Sequence, residues 1–446
     1  MVSESGYAAN PYRKILRRRI PEPFVALLAF ILGIWMWDQY FSEPVEYMIG
    51  TEEVALLKID RDLRLAEAME NDPVWLRKLA GSEETQKLCE NALNVLHTLE
   101  AQRLIGPRGA EAYAVIRSAV DGTPVLETMM RFGARGVDEP PDPVMRRGSW
   151  WRAKVLRANA ELGPIHGPWK DAYAESLRTL RWRAIANGTL VTALGLIGLC
   201  FLPGTLHRLA AGLREQPRGY AGAWTPALGL TVFMLGTLAW IGFVAMLDLG
   251  VRGVIGLPPL MAVMLDTAAR LLPSLIVIGF LFKHPSHVVR VMGLNRAPHP
   301  GMILGVFALL SLADRALRLI PGATGEGEPG GGLSLAEAGV NGLVFSIVSA
   351  CIVAPIAEEI LYRGVLFRSL GNRLGILPSA ILSSVIFASI HFYGLYGFVS
   401  VAVFGFACAM LYAATGSLMC VILLHSLYNL SIKIPEWWFY HAKIEW

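Results

Sequence analysis

Eight runs of mainly apolar residues follow one another from residue 185 onward, at about 185–202, 226–247, 260–282, 300–320, 340–360, 376–394, 396–414 and 417–433. A hydrocarbon core about 30 Å thick is crossed by roughly 20 such residues in a helix, and inside lipid every backbone N–H and C=O must find its partner within the segment. Runs of this length therefore confine the chain to a helical bundle in a membrane. Composition agrees: 54% of the 446 residues are hydrophobic and 17% charged, with a mean hydropathy of +0.45, outside the range of ordinary soluble domains. A purely soluble enzyme is excluded.

A ninth run, 24–37, follows Arg13, Lys14, Arg17, Arg18 and Arg19. Basic-then-apolar order marks a signal peptide or a signal anchor. Asp38-Gln39-Tyr40-Phe41 follows it where a cleavage site would need small residues, and Trp35, Trp37 and Tyr40 suit an interfacial belt, so an uncleaved anchor with a cytoplasmic N-terminus is expected. Counting from there puts three basic groups inside: Arg208, Arg214 and Arg218; Lys283, Arg290 and Arg296; and Arg363, Arg368 and Arg373. Positive charge then falls inside at alternate connections. Residues 42–182, the Gly-rich stretch 322–332 and the C-terminus fall outside, with Trp437 and Trp438 as interface anchors.

Within 42–182 apolar residues recur at three- and four-residue spacing over 54–69, 83–104 and 169–180, the pattern of amphipathic helices, while the Pro-rich 138–143 reads as a loop. The expected fold is an all-α polytopic membrane protein of about nine transmembrane helices, with a helical soluble domain inserted between the first and second. Its parts are 1–41, a basic N-terminus and anchor; 42–182, an extracytoplasmic domain; 183–339, helices without catalytic motifs; 340–433, a catalytic core; and 434–446, an aromatic tail. No repeat of helix groups is present.

The 40 basic and 36 acidic residues are balanced and dispersed, which excludes a nucleic-acid surface. Cys89, Cys200, Cys351, Cys408 and Cys420 contain no C-x-x-C pair, so neither a disulfide framework nor a thiolate zinc site is expected.

Ionisable residues in apolar helices are costly and point to function. Three groups stand in the last quarter. In APIAEEILYRGVLF, Glu359 and Arg363 are four apart on one helix face and can neutralise one another. Glu358 is rotated by roughly 100° and is left to face a cavity and take a proton from water. In SVIFASIHFYG, Phe387 lies one turn before His391 and packs against it; alone, such a histidine reads as a satisfied core residue. In VILLHSLYNLSI, His425 and Asn429 are four apart, suited to an oxyanion or, more blandly, to interhelical polar contact. Together they supply every role needed to hydrolyse an amide within a membrane.

Glu358-Glu359…Arg363, Phe387…His391 and His425…Asn429, in that order on separate apolar helices, resemble the three motifs of the CAAX-prenyl protease and bacteriocin-processing (CPBP, or Abi) family of intramembrane proteases. The resemblance covers about 340–433. It implies that Glu358 and His391 activate the attacking water, that His425 and Asn429 stabilise the oxyanion, and that Glu359, Arg363 and Phe387 support the site. The implied substrate is a membrane-anchored protein or peptide, and a prenylated tail is not required. The Ala/Arg/Gly-rich composition suggests a bacterial plasma membrane. The outside domain is a candidate for binding substrate or a partner.

The helix motif His-Glu-x-x-His is absent; a zinc enzyme would draw on Glu358, His391 and His425, a picture that Asn429 and the paired Glu359 fit less well, so glutamate-activated water without metal is favoured. Asp266 with Arg270, and Asp314 with Arg318, are four apart and read as self-neutralising structural pairs. His284, His287 and His299 read as solvated or headgroup-facing. Two other functions remain open. A proton-coupled transporter would show helix repeats, and a silent scaffold would have lost a catalytic side chain. The site also sets a condition on the fold. A helix starting at Ile376 on the inner side carries His391 about 22 Å deeper. Glu358 meets it only if its own helix runs from near Asn341 to Leu370, or if the following connection dips into the membrane.

Overall fold

The computed structural model describes residues 28, 31, 52–101, 105–131, 147–162, 169–215, 224–247, 259–282, 284–317, 339–391, 395–440 and 444–445. The helices are α1 (Glu52–Ala68), α2 (Val74–Ala80), α3 (Thr85–Ala101), α4 (Pro107–Asp121), α5 (Val125–Arg131), α6 (Trp150–Leu162), α7 (Trp169–Glu215), α8 (Pro226–Leu247), α9 (Pro259–Leu281), α10 (Pro285–Val291) and α11 (Pro300–Leu317). A composite helix, α12, spans 339–374 and is followed by α13 (Ile376–Ser389), α14 (Leu395–Thr415) and α15 (Leu418–Tyr440). Among the described residues the one extended pairing is an antiparallel bridge of β1 (Arg147–Gly148) with β2 (Ile444–Glu445). The anchor run 24–37, apart from Leu28 and Ile31, lies outside the described residues, as do the 138–143 loop, Arg318 and the Gly-rich 322–332.

Six of these helices are long and apolar enough to cross a membrane: Trp169–Arg214, Pro226–Phe243, Pro300–Leu317, Val340–Leu374, Leu395–Thr415 and Leu418–Pro435. Two shorter apolar helices, Thr267–Leu281 and Ile376–Ser389, accompany them. Apart from the β1–β2 bridge, the described residues form helices and their connections, and the chain is an integral membrane protein.

Two units divide the chain. One comprises Glu43–Ala193, Gly327–Leu343 and Ile432–Trp446. Its core is Leu56, Leu63, Leu93, Leu96, Leu99, Ile116 and Trp150 with their neighbours from α1, α3, α4 and α6. The three amphipathic periods read from the sequence coincide with α1, α3 and the start of α7. Inside it Asp60 is buried; its carboxylate accepts from the Trp150 backbone N–H at 2.7 Å and from Arg64 at 2.9 Å, so this buried carboxylate is partnered.

The other unit comprises Met1–Ser42, Leu194–Glu326 and Val344–Ser431 as far as described. Aromatic and aliphatic side chains of α8, α9, α11, α12, α14 and α15 form its core. The helix α12 is not uniform: Gly339–Ile347, Ala354–Glu359 and Arg368–Leu374 are α-helical, whereas Val348–Val353 and Ile360–Phe367 are π-helical. Pro355 is the local cause of the first π segment. A proline inside an α-helix removes one N–H and its ring meets the carbonyl four residues back, and widening the turn relieves that contact.

The inner connection differs from the sequence expectation. The sequence places Arg363, Arg368 and Arg373 in a loop, but α12 continues to Leu374 and Gly375 alone joins it to α13. Arg363 and Arg368 are buried at 1% and 6% exposure. Arg368 is held by the Val291 carbonyl and the Tyr412 hydroxyl, so its charge is met inside the bundle; only Arg373 is exposed.

Candidate active site

Gly375 turns the chain with φ 81° and ψ 175°, a conformation open essentially to glycine. Around that corner α12 and α13 form a helical hairpin. Glu358 stands seventeen residues before Gly375 and His391 sixteen after it, so the two limbs are matched in residue count, each at most about 25 Å long at the α-helical rise of 1.5 Å per residue. Arg363 and Phe387 are each twelve residues away, and the guanidinium carbon lies 4.4 Å from the Phe387 ring centre, a cation–π contact. The first of the two arrangements that could bring Glu358 level with His391 is the one adopted.

The two adjacent glutamates have different surroundings. Glu359 is wholly buried: its Oε1 accepts from Arg363 Nη1 at 3.0 Å and from His425 Nδ1 at 2.7 Å. Arg363 gives its other terminal nitrogen to the Gly405 carbonyl at 3.1 Å. The intrahelical pair read from the sequence is present, and a histidine from α15 completes it. Glu358 keeps 15% side-chain exposure. Its Oε1 lies 3.4 Å from Arg270 Nη1 of α9, and its Oε2 lies 3.9 Å from His425 Nε2.

Both histidines have a defined proton position. His391 Nδ1 stands 2.7 Å from the Phe387 carbonyl, which can only accept, so Nδ1 carries hydrogen and Nε2 presents a lone pair. The Phe387 ring packs edge-on at 4.7 Å. Glu358, Arg270 and His425 all act electrostatically on this imidazole. For His425 the carboxylate of Glu359 plays the same part, and Phe404 closes the ring's flank at 4.8 Å.

Asn429 follows His425 by one turn on α15. Its Nδ2 donates to the Ala350 carbonyl at 2.6 Å. In this π segment the Ala354 N–H bonds to the Ser349 carbonyl, five residues back. In that register the Ala350 carbonyl falls opposite residue 355, which is a proline without an N–H. The amide of Asn429 fills the gap. Further cross-helix bonds fix α9 against α12: Thr267 donates to the Ser349 hydroxyl at 2.8 Å and Ser274 to the Ala357 carbonyl at 2.7 Å.

Arg270 is the site residue that sequence reasoning missed. Its spacing from Asp266 offered a sufficient local partner, and the signal that remained was a cation at the centre of an apolar run. The side chain of Asp266 lies outside the described residues. Asp314 accepts from Tyr396 at 3.0 Å. Among the described residues no three His, Cys, Asp or Glu side chains are grouped to hold one metal ion.

Residues 340–431 match the family model described as Type II CAAX prenyl endopeptidase Rce1-like. The resemblance read from the three motifs is shown for this segment. No curated protein and no solved structure matches the chain. The Rce1-like segment contains α12 to α14 and most of α15, and with them every motif residue; Arg270 comes from the chain before it. The match supports a CAAX protease-type endopeptidase acting within the membrane, which implies a membrane-associated substrate and the lipid bilayer as partners.

Proposed function

We propose that the protein hydrolyses a peptide bond of a membrane-anchored protein or peptide with water activated by Glu358 and His391, without a metal. The reading rests on one observation: of two adjacent glutamates, Glu359 is enclosed by Arg363 and His425 while Glu358 is partly open. Glu358 takes a proton from water, whose other O–H donates to His391 Nε2. The water oxygen bonds to the scissile carbonyl carbon, and when the C–N bond breaks Glu358 returns the proton to the departing amine. His425 gives its Nδ1 hydrogen to Glu359, so its Nε2 donates to an oxyanion only as the imidazolium, a charge that Glu359 offsets. Asn429 contributes its second amide hydrogen.

In this proposal nine helices cross the bilayer: the six long ones, the two shorter apolar ones and the 24–37 anchor. The N-terminus is cytoplasmic, the membrane is a bacterial plasma membrane, and the unit of α1–α6 lies outside, where it binds substrate or a partner.

Comparing the membrane peptides of cells making the parent chain with those making Glu358→Gln tests the reading. Intact substrates should accumulate with the variant and their cleaved products with the parent. Indistinguishable peptide sets, with both proteins equally abundant, would refute it.

A further inference from the structure

The short helix α2 is set against α7 at a defined height. Arg181 holds Asp72 through two bonds, Nε to Oδ2 at 2.6 Å and Nη2 to Oδ1 at 2.7 Å. Leu65, Met69 and Ala80 pack on Leu180 and Ala184. At the far end Gly188 lets the two backbones meet, since a Cβ there would collide with the Leu79 carbonyl. Asp72 meets Arg181 and Leu79 meets Gly188, seven residues on along each chain. The two segments run in step, and Trp75 stands level with residue 184.

Two more tryptophans share that level. Trp182 is on α7 itself, and Arg183 donates to the Trp438 carbonyl at 2.6 Å while its guanidinium lies 5.9 Å from the Trp438 ring centre. Trp75 is 67% exposed, Trp182 60% and Val74 56%. The outward residues of α7 change character here as well. Before this level they include Asp171 and the exposed Glu175–Arg178 pair; beyond it they include Leu190, Leu196 and Ile197. Tryptophan prefers the headgroup layer, where its ring is sheltered and its N–H stays wet. Exposed apolar side chains beside the start of a spanning run lie on that boundary.

We propose that α2 is a membrane-docking element that seats Val74 and Trp75, with Trp182 and Trp438, in the headgroup layer of a phospholipid bilayer. These tryptophans mark one boundary of the membrane on α7. The proposal is independent of the protease reading.

The full chain in phosphatidylcholine vesicles whose acyl chains are brominated either near the carbonyl or near the methyl end provides the test. Bromine quenches tryptophan emission on contact. Near-carbonyl bromine should quench more than deep bromine, and Trp75→Phe and Trp182→Phe should each remove part of the quenched emission. Trp150→Phe, at a 2% exposed core position, should remove only unquenched emission. A Trp75→Phe protein with the parent's melting temperature and an unchanged quenched fraction would overturn the proposal, as would quenching of the Trp75 emission by aqueous iodide in the same vesicles.

Discussion

Asn429 makes the hydrogen bond that Pro355 cannot. The Ala350 carbonyl, left by the proline without its backbone donor, takes the Asn429 amide at 2.6 Å, which ties α15 to the π segment that leads into Glu358 and Glu359. Asn429→Ala should therefore lower stability by about 1 kcal/mol, the net worth of one hydrogen bond at a partly buried carbonyl. Pro355→Ala restores an N–H in the right register, and Pro355→Ala with Asn429→Ala should melt close to Pro355→Ala alone. Additive losses would show that the two residues do not share this carbonyl. Stability recovered without turnover would instead reveal a separate contribution of Asn429 to the oxyanion.

The two glutamates should fail in different ways. Glu358→Gln keeps shape but cannot accept a proton, so the melting temperature should hold while turnover falls by on the order of 100-fold or more. Glu359→Gln strands Arg363 in a dry site and should cost about 3–5 kcal/mol, read by thermal melting in detergent. Adding Arg363→Met should restore part of it. A stable, inactive Glu359→Gln beside a near-normal Glu358→Gln would reverse the two roles.

Chelation tests the metal-free chemistry. Turnover should survive chelator treatment, and elemental analysis of the purified active protein should find no stoichiometric zinc. Loss of activity with a chelator, recovery with one equivalent of zinc, and loss of that zinc in His391→Ala would establish the zinc enzyme.

Acid should weaken the hold of α2 on α7. The hydrogen bonds from Arg181, followed by its charge, hold the Asp72 carboxyl below its ordinary value of 3.8. A depressed carboxylate pKa contributes stability above the unfolded value and loses it as pH falls through the folded one. Proteolysis between α2 and α3 should therefore be slow at pH 7 and quicken below about pH 4. Asp72→Asn should remove this dependence; a variant cleaved with the parent's pH profile would place the acid-sensitive contact elsewhere.

Topology is open to labelling. Met130, 76% exposed and near Gly122, should react as Met130→Cys with an impermeant thiol reagent on intact cells, in a chain whose own cysteines are replaced. Reaction only after lysis would invert the proposed orientation.

What the sequence made legible was local. Pairs four residues apart, Glu359 with Arg363 and Phe387 with His391, meet in the structure because helical geometry alone brings them together. Partners from other helices were not legible. His425 reaches Glu359 across 66 residues and Arg270 reaches Glu358 across 88, and a period of 3.6 assigns a face without saying what it faces. The arginines after Glu359 looked like a cytoplasmic connection because charge in an apolar helix is costly. A carbonyl, a hydroxyl and the Trp224 ring in the bundle meet that cost for Arg368, and the helix runs on. Pro355 was visible from the start, but its effect on Asn429 depends on the π register.

The corner at Gly375 acts as a ruler. Glu358 and His391 are level because the two limbs that carry them are matched in length, so a residue inserted in one limb alone slides and rotates the pair out of register. A full turn added to both limbs would keep the pair and lift it by about 5 Å relative to the corner. The depth at which a substrate is cut and the integrity of the cutting site are thus separately adjustable, and related chains can shift the first while preserving the second only by lengthening or shortening both limbs together.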